Sequence, residues 1–264
     1  MTDNVLLTIA GGIATVTLNR PERHNVFDDA LIAELTALFT KVGQDPAVRA
    51  VVLESTGRSF SAGADLGWMK RMAGNDHDAN LRDAEALGAL MKTIDRCPKP
   101  VIGVVQGACY GGGVGLVACC DIAVAAEGAT FSLSEVKLGI LPAVISPYVV
   151  AAMGERACRR YFLTAERFSA AEAHRLGLLH EVVPADGLHA ARDRIIEALW
   201  QCGPAAQAAA KDLIFAVARK PTDAAVIRDT AERIATIRAS DEGREGLNAF
   251  LEKRKPRWLS AAEE

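Results

Sequence analysis

The chain has 264 residues, a formal net charge of -3 and 50% hydrophobic residues. A chain of this length and apolar content folds around a substantial core, which excludes a disordered protein. The near-neutral charge gives no electrostatic reason to expect nucleic acid or an anionic membrane as a partner. The six cysteines form no C-x-x-C pair, and the five histidines have no metal-ligand spacing. We therefore expect free thiols, no bound metal and a reducing, cytoplasmic location.

The first third of the chain alternates strand and helix patterns. Apolar and small polar residues alternate over 13–18, which predicts a half-buried strand. Asp28 is a candidate N-cap for a helix whose apolar residues recur on one face. Residues 48–53 predict a second strand, followed by the polar loop ESTGRSFSAGAD and a charged, helical region that ends near Arg96.

The most apolar part of the chain follows. Two more strands are predicted, at 101–105 and 121–126. The whole stretch 101–126 is long enough to span a membrane, but Gln106, several glycines and Asp121 interrupt it. We interpret it as buried core and expect no membrane association and no signal peptide.

The last part of the chain is predicted to be helical. Strand patterns nearly disappear after about residue 155, and helices are predicted at 204–219, 222–239 and 242–255. Strands separated by helices imply right-handed crossovers and a sheet covered on its faces. The sequence therefore predicts an α/β core over residues 1–200 and a helical C-terminal region over residues 201–264.

Five glycines lie within the segment GACYGGGVGLVACCD (107–121), and three interpretations explain them. The motif G-x-G-x-x-A that starts at Gly113, with Glu135 further on, resembles a dinucleotide fingerprint, although its first glycine does not directly follow a strand. Alternatively, a helix that begins near Gly112 packs closely on the sheet. In the third interpretation, the N–H groups at that helix start and the SAGAD loop (61–65) together form an oxyanion hole.

Five blocks of sequence carry a resemblance to a known family. They are NRPERHN (19–25), FSAGADL (60–66), VQGACYGGGVGLVACCDIAVAAEGATFSLSEVKLGILP (105–142), LTAERFSAAEAHRLGLLHEVV (163–183) and AFLEKRK (249–255). In this order they resemble the enoyl-CoA hydratase/isomerase family, the crotonase superfamily, through almost the whole chain. The central blocks look most like bacterial 3-methylglutaconyl-CoA or carboxygeranoyl-CoA hydratases. The resemblance implies a crotonase-like spiral of ββα units, an acyl-CoA substrate, no separate cofactor, and a homotrimer or hexamer.

The resemblance also assigns the catalytic roles. It implies that the backbone N–H groups of Ala64 and Gly112 hold the thioester oxygen and that Glu135 is the catalytic acid/base. Glu135 lies in the apolar run FSLSEVKLGILP, where desolvation would raise its pKa as acid–base work near neutral pH requires. Two-glutamate hydratases carry their first glutamate where this chain has Gly115.

One carboxylate leaves two reactions open. It can hydrate a double bond by passing a single proton in a syn addition, and it is also all that a Δ3,Δ2-enoyl-CoA isomerase needs. We expect hydration of a branched or carboxylated enoyl-CoA, with isomerisation as the close alternative. A nicotinamide-dependent oxidoreductase and a non-catalytic acyl-CoA binder are two further hypotheses.

The remaining site residues are substrate contacts implied by the resemblance. Arg23 is a candidate partner for a coenzyme A phosphate. Tyr110 and Leu133 are expected to face the acyl chain, and Phe250 and Lys253 to reach the nucleotide from a neighbouring subunit, with helix packing as the alternative for Phe250. The full set is Arg23, His24, Val26, Ala62, Ala64, Asp65, Leu66, Tyr110, Gly112, Leu133, Phe250 and Lys253.

Overall fold

A computed structural model describes residues 4–260 of the chain. The chain forms two compact units: the first is the chain up to Cys97 with Val101–Asp193, and the second is Pro98–Pro100 with the chain from Arg194 onward. Among the described residues, the strands all lie in the first unit and the second unit is mainly helical. The predicted division at residue 200, and the functional roles of the C-terminal region, stay predictions.

The first unit contains the strands and most of the shorter helices. The strands are β1 (Val5–Ala10), β2 (Ile13–Leu18), β3 (Ala50–Ser55), β4 (Ser59–Ser61), β5 (Val101–Val105), β6 (Ala108–Tyr110), β7 (Ile122–Ala126), β8 (Thr130–Ser132), β9 (Phe168–Ser169) and β10 (Glu181–Val183). The helices are α1 (Asp29–Gln44), α2 (Leu66–Gly74), α3 (His77–Asp95), α4 (Gly112–Cys119), α5 (Ser146–Met153), α6 (Glu155–Thr164) and α7 (Ala170–Arg175).

The C-terminal helices follow in a continuous series. They are α8 (Leu188–Trp200), which extends across the division between the units, α9 (Pro204–Val217), α10 (Ala224–Ala239), α11 (Asp241–Leu251) and α12 (Arg257–Ser260). Short 3-10 helices occur at Pro21–Arg23, Glu135–Leu138 and Ala185–Gly187.

Successive strand pairs are shared between two sheets. The larger sheet has the order β1-β2-β3-β5-β7-β10 and the smaller one β4-β6-β8-β9. In the larger sheet β1 is antiparallel to β2 and the other neighbours are parallel, whereas in the smaller sheet only β9 is antiparallel. Each of the pairs β3/β4, β5/β6 and β7/β8 gives one strand to each sheet before a helical segment follows. The predicted spiral of ββα units is therefore confirmed.

Local sequence signals explain the best-predicted elements. The alternation in β2 buries one face of the strand, and β5 is buried throughout. Helix α1 begins where predicted, because the Asp28 carboxylate accepts a hydrogen bond from the N–H of Leu31 at 2.9 Å. The apolar stretch 101–126 contains β5, β6, α4 and β7. Across residues 4–260, no helix has both the length and the hydropathy that crossing a membrane requires.

Some predicted boundaries are wrong by a few residues. The second predicted strand starts at Ala50 instead of residue 48, because Val48 still belongs to a turn in which its N–H donates to Asp45. The last predicted helix ends at Leu251 instead of residue 255, and Lys253 has a left-handed backbone with φ 54°. The sequence pattern does not predict β1 or the short strands β4, β6, β8, β9 and β10.

Candidate active site

Three loops leave the smaller sheet at the same edge. Strands β4, β6 and β8 are parallel neighbours, so their carboxyl ends lie together. Ala64 follows the end of β4 by three residues, Gly112 follows β6 by two, and Glu135 follows β8 by three. The carboxyl ends of parallel strands are a frequent place for ligand binding. The topology thus collects three predicted catalytic residues from distant parts of the sequence.

Glu135 lies where the loops after β4 and β6 meet. A Cβ built on Gly111 would be 3.3 Å from Oε1 of Glu135 and 3.9 Å from the Cα of Gly63. Gly111 has φ 52° and ψ -121°, a conformation that L side chains rarely adopt. Its N–H donates to the carbonyl of Ser132, the last residue of β8, at 2.9 Å. Glycine at position 111 therefore allows all three loops to approach one another.

The first predicted oxyanion donor, the N–H of Ala64, is oriented by a neighbouring backbone segment. Phe27 forms a parallel bridge with Ala64: its N–H donates to the carbonyl of Gly63 and its carbonyl accepts from the N–H of Asp65, both at 2.7 Å. In a parallel ladder the residue between two such bonds turns its own N–H away from that neighbour. The Ala64 N–H is therefore directed away from Phe27.

The second predicted donor, the N–H of Gly112, belongs to the first residue of α4. The first N–H groups of an α-helix have no partner within the helix. Hydrogen bonding in α4 starts with the N–H of Val114, which donates to the carbonyl of Gly111 at 2.9 Å. A Cβ on Gly112 would point at the Phe27 ring, 3.5 Å from two ring carbons. A Cβ at this distance would make ordinary van der Waals contact with the ring, so Phe27 alone does not require glycine at position 112, and the role of the Gly112 amide stays a prediction.

The environment of Glu135 suits a proton-transfer role. Glu135 begins a short 3-10 helix that ends at Leu138 and is followed by Gly139, a glycine in the left-handed conformation with φ 73°. Its Oε2 atom is buried and has no hydrogen-bond partner within residues 4–260. Burial raises the pKa of the Glu135 carboxyl above its ordinary value. A desolvated acid of this kind can gain and lose a proton closer to neutral pH.

Comparisons with known proteins agree with this fold. The sequence profile of the family described as enoyl-CoA hydratase/isomerase matches residues 8–261. The chain belongs to the enoyl-CoA hydratase/isomerase family. It is an enzyme with the crotonase fold, and its substrates are acyl-CoA thioesters.

Solved structures and curated relatives cover nearly the whole chain. The crystal structure of an enoyl-CoA hydratase from Shewanella pealeana is 46% identical, with a TM-score of 0.95 over 97% of this chain and 96% of that chain. Mevalonyl-coenzyme A hydratase sidH of Aspergillus fumigatus is 36% identical over 93% of this chain and 91% of its own. Crotonyl-CoA hydratase of Syntrophomonas wolfei is 31% identical over 98% of each chain.

The glycines inside α4 serve packing. A Cβ on Gly113 would be 3.0 Å from the Ser61 side chain, and one on Gly115 would be 2.3 Å from Cγ2 of Ile145 and 3.3 Å from Cε of Met91. Since both glycines lie within a buried helix instead of a turn after a strand, the dinucleotide interpretation is wrong. The position that carries the first glutamate in two-glutamate members of the family is thus closed by apolar side chains.

The predicted coenzyme A residues of the first blocks are held by contacts within the chain. Arg23 forms an ion pair with Asp65, and the Asp65 carboxylate also caps the start of α2. The His24 ring is hydrogen-bonded to Oγ of Ser59 at 3.0 Å, and Arg58 donates to its other nitrogen at 2.9 Å. Partners that are distant in sequence leave no local pattern. The hydrogen bond between Arg58 and His24 and the ion pair between Arg23 and Asp65 therefore could not be predicted.

The remaining predicted substrate contacts in the first unit differ in exposure. Val26, Ala62 and Tyr110 are half-buried, whereas Leu66 is 75% exposed. Leu133 is fully buried in the core and has no surface open to an acyl chain in this structure.

Two predicted contacts belong to the second unit. Phe250 is near the end of α11 and is 81% exposed, so it does not pack inside the chain, and Lys253 follows the helix. In the part of the chain that the structure describes, no three His, Cys, Asp or Glu side chains form a group that could hold a metal ion.

Proposed function

We propose that this enzyme hydrates the 2,3-double bond of an enoyl-CoA with Glu135 as its single acid/base. The observation that carries the proposal is the Glu135 carboxylate, which has a buried, unpartnered Oε2 and an Oε1 that faces Gly111, a residue that also faces Gly63. These glycines directly precede Ala64 and Gly112, the proposed oxyanion donors. Hydration is also the activity named for both curated relatives described above.

In the proposed reaction the thioester oxygen accepts hydrogen bonds from the N–H groups of Ala64 and Gly112. These donors stabilise the enolate that forms, and losing one such donor typically costs about 10²–10³ in rate. Ionised Glu135 takes a proton from a water molecule as the water oxygen bonds to C3 and the double-bond electrons move toward the thioester oxygen. Glu135 then returns that proton to C2. The elements of water add to one face, and Glu135 ends the cycle ionised.

Isomerisation is the second candidate, and the closed position at Gly115 favours it. A Δ3,Δ2-enoyl-CoA isomerase moves one proton from C2 to C4, for which Glu135 alone is sufficient. The same two amides would stabilise the intermediate dienolate. The two reactions therefore differ in whether a water molecule reaches C3, which depends on the substrate-bound site.

For the substrate we propose a branched or carboxylated acyl group, such as 3-methylglutaconyl-CoA or a carboxygeranoyl-CoA. A second glutamate at position 115 would repel a carboxylate on the substrate. Gly115 carries no charge, and its surroundings are the apolar side chains of Ile145 and Met91. The mevalonyl group in one relative's name is likewise a branched acyl group.

We also propose a cytoplasmic homotrimer or hexamer in which residues 201–264 form subunit contacts and cover the site. Three apolar side chains on α11 support this: Leu247, Phe250 and Leu251 are 54%, 81% and 75% exposed. A group of exposed apolar side chains often marks a surface that another chain covers. The proposed coenzyme A contacts, including His24 and Lys253, are to be tested in that assembly.

Absorbance assays of purified enzyme distinguish the two reactions. Hydration of crotonyl-CoA removes the absorbance of the conjugated enoyl thioester, whereas isomerisation of a 3-enoyl-CoA creates it. We expect loss of absorbance with 3-methylglutaconyl-CoA. The matched substrate is 3-methylcrotonyl-CoA, which lacks the terminal carboxylate and should be hydrated more slowly. A gain of absorbance with 3-enoyl-CoA, without turnover of any 2-enoyl-CoA, would replace hydratase with isomerase.

A further inference from the structure

Phe27 contacts both loops that carry the proposed oxyanion donors. Its backbone is hydrogen-bonded on either side of Ala64, to Gly63 and to Asp65, at 2.7 Å each. Its ring occupies the space beside Gly112, where a Cβ would lie 3.5 Å from Cδ2 and Cε2 of the ring. One buried residue thus pairs with the first loop through its main chain and faces the start of the second through its side chain.

Phe27 is itself held firmly from both directions along the chain. Asn25 is fully buried, and its side-chain amide donates to the carbonyl of Ser59 at 2.8 Å and accepts from the N–H of Arg20 at 2.7 Å. On the other side, the Arg20 guanidinium donates to the Asp28 carboxylate at 2.7 Å. The Phe27 ring is only 2% exposed. Its position is therefore fixed by its neighbours and does not depend on a bound ligand.

We propose that Phe27 is a positioning residue that sets the separation between the Ala64 and Gly112 amides; this rests on the proposed function of those amides. Oxyanion donors work only when both lie about 2.7–3.1 Å from the developing charge. The thickness of the aromatic ring holds the first residue of α4 at a fixed distance from the backbone that orients Ala64. A smaller side chain would leave a space into which α4 can shift. Misplacement of a reacting group by about 1 Å can cost 10²-fold in rate.

Substitution of Phe27, with a matched substitution elsewhere, tests this role. We expect Phe27→Ala to lower kcat for crotonyl-CoA about 10²-fold and Phe27→Leu about tenfold. KM should change little, because the lost interaction is made mainly in the transition state. The control is Phe39, a buried phenylalanine of α1 that is 1% exposed. Phe39→Ala and Phe39→Leu should lower thermal stability to a similar extent but leave kcat within about twofold of wild type.

A spectroscopic measurement separates positioning from general loss of structure. Butyryl-CoA labelled with ¹³C at the carbonyl binds but has no double bond to hydrate. In the wild-type enzyme its carbonyl band should shift to lower frequency, because two N–H donors polarise the C=O bond. In the Phe27 variants the band should return toward its solution frequency. The Leu variant retains an apolar side chain, which keeps the test available if the Ala variant does not fold.

The possible results are distinct. If folded Phe27→Leu and Phe27→Ala keep the wild-type carbonyl frequency and the wild-type kcat, the proposal is overturned. An equal loss of kcat in the Phe39 variants would also overturn it. If the wild-type enzyme neither turns over an enoyl-CoA nor shifts the carbonyl band, the proposed function itself fails. A wild-type shift that is lost only in the Phe27 variants supports the positioning role.

Discussion

Two glutamates of this enzyme, the buried Glu245 and the half-buried Glu135, have opposite electrostatic environments. Glu245 on α11 accepts hydrogen bonds from the Arg254 guanidinium at 2.7 and 3.1 Å and from the backbone N–H of Arg257 at 3.0 Å. The Arg254 hydrogen bond, together with the neighbouring positive charges, lowers the pKa of Glu245 to about 2. Glu135, in contrast, has a buried Oε2 without a partner in residues 4–260, and burial raises its pKa.

The difference shows what makes a buried carboxylate available for catalysis. Glu245 remains ionised across the physiological pH range, so it connects α11 to the segment that follows but cannot exchange protons there. Within residues 4–260 the buried Oε2 of Glu135 has no hydrogen-bond partner, so the ionised form of this carboxyl is less stabilised and its affinity for a proton is higher. An enzyme tolerates the energetic cost of such a group where the reaction uses it.

The largest expected effect is on turnover. Glu135→Gln keeps the shape of the side chain but cannot carry the proton, so kcat should fall by about 10²–10⁴, while the Kd of an acyl-CoA changes little. Glu245→Gln, the matched change at the paired glutamate, should leave kcat near the wild-type value. Steady-state assays with crotonyl-CoA and calorimetric titration with butyryl-CoA measure the two quantities. Comparable losses of kcat in both variants would remove the distinction between the two glutamates.

The pH dependence of kcat/KM is the next expected effect. Hydration begins with Glu135 ionised, so kcat/KM should fall about tenfold per pH unit below the raised pKa of Glu135. That acid limb should lie above the ordinary glutamate value of about 4.3. Glu245→Gln should not move the limb. A wild-type limb at or below the ordinary value would mean that Glu135 is not the group that titrates.

The smallest expected effect is on stability, with opposite signs for the two glutamates. A carboxyl with a raised pKa in the folded state contributes stability at low pH that is lost as pH rises through that pKa, so Glu135→Gln should stabilise the protein at pH 7. A carboxyl with a lowered pKa contributes stability above its unfolded pKa that is lost as pH falls toward about 2, so Glu245→Gln should destabilise it at pH 7.

Thermal unfolding at one protein concentration, at pH 7 and pH 4, gives the sign of the stability change for each of the two variants. Destabilisation by Glu135→Gln at pH 7 would show that the carboxylate has a stabilising partner in solution.

Much of the fold, and the set of candidate catalytic residues that the fold brings together, could be predicted from the sequence. β2 and β5 show clear patterns, and Asp28 precedes an apolar helical stripe, so local physics identifies them. Glu135 stands out because it interrupts an apolar run. The resemblance then connects it with Ala64 and Gly112, which lie far apart in the sequence.

The rest depends on contacts that local patterns do not show. Strands β4, β6 and β8 have three residues each, too few for an alternating pattern, although their parallel pairing brings the site together. Arg23 looks like a free cation in sequence but pairs with Asp65, 42 positions away. Gly112 faces the ring of Phe27, which a segment far earlier in the sequence supplies. Each of these outcomes is decided by a residue distant in sequence.

A crystal structure of the enzyme with bound acetoacetyl-CoA, an enolisable thioester, tests the central claim most directly. We expect the thioester oxygen within about 2.7–3.1 Å of both the Ala64 and Gly112 nitrogens. The Glu135 carboxylate should lie within hydrogen-bond reach of a water molecule or of the C2 carbon. A thioester oxygen bound elsewhere, or a Glu135 carboxylate turned into bulk solvent away from C2, would contradict the account.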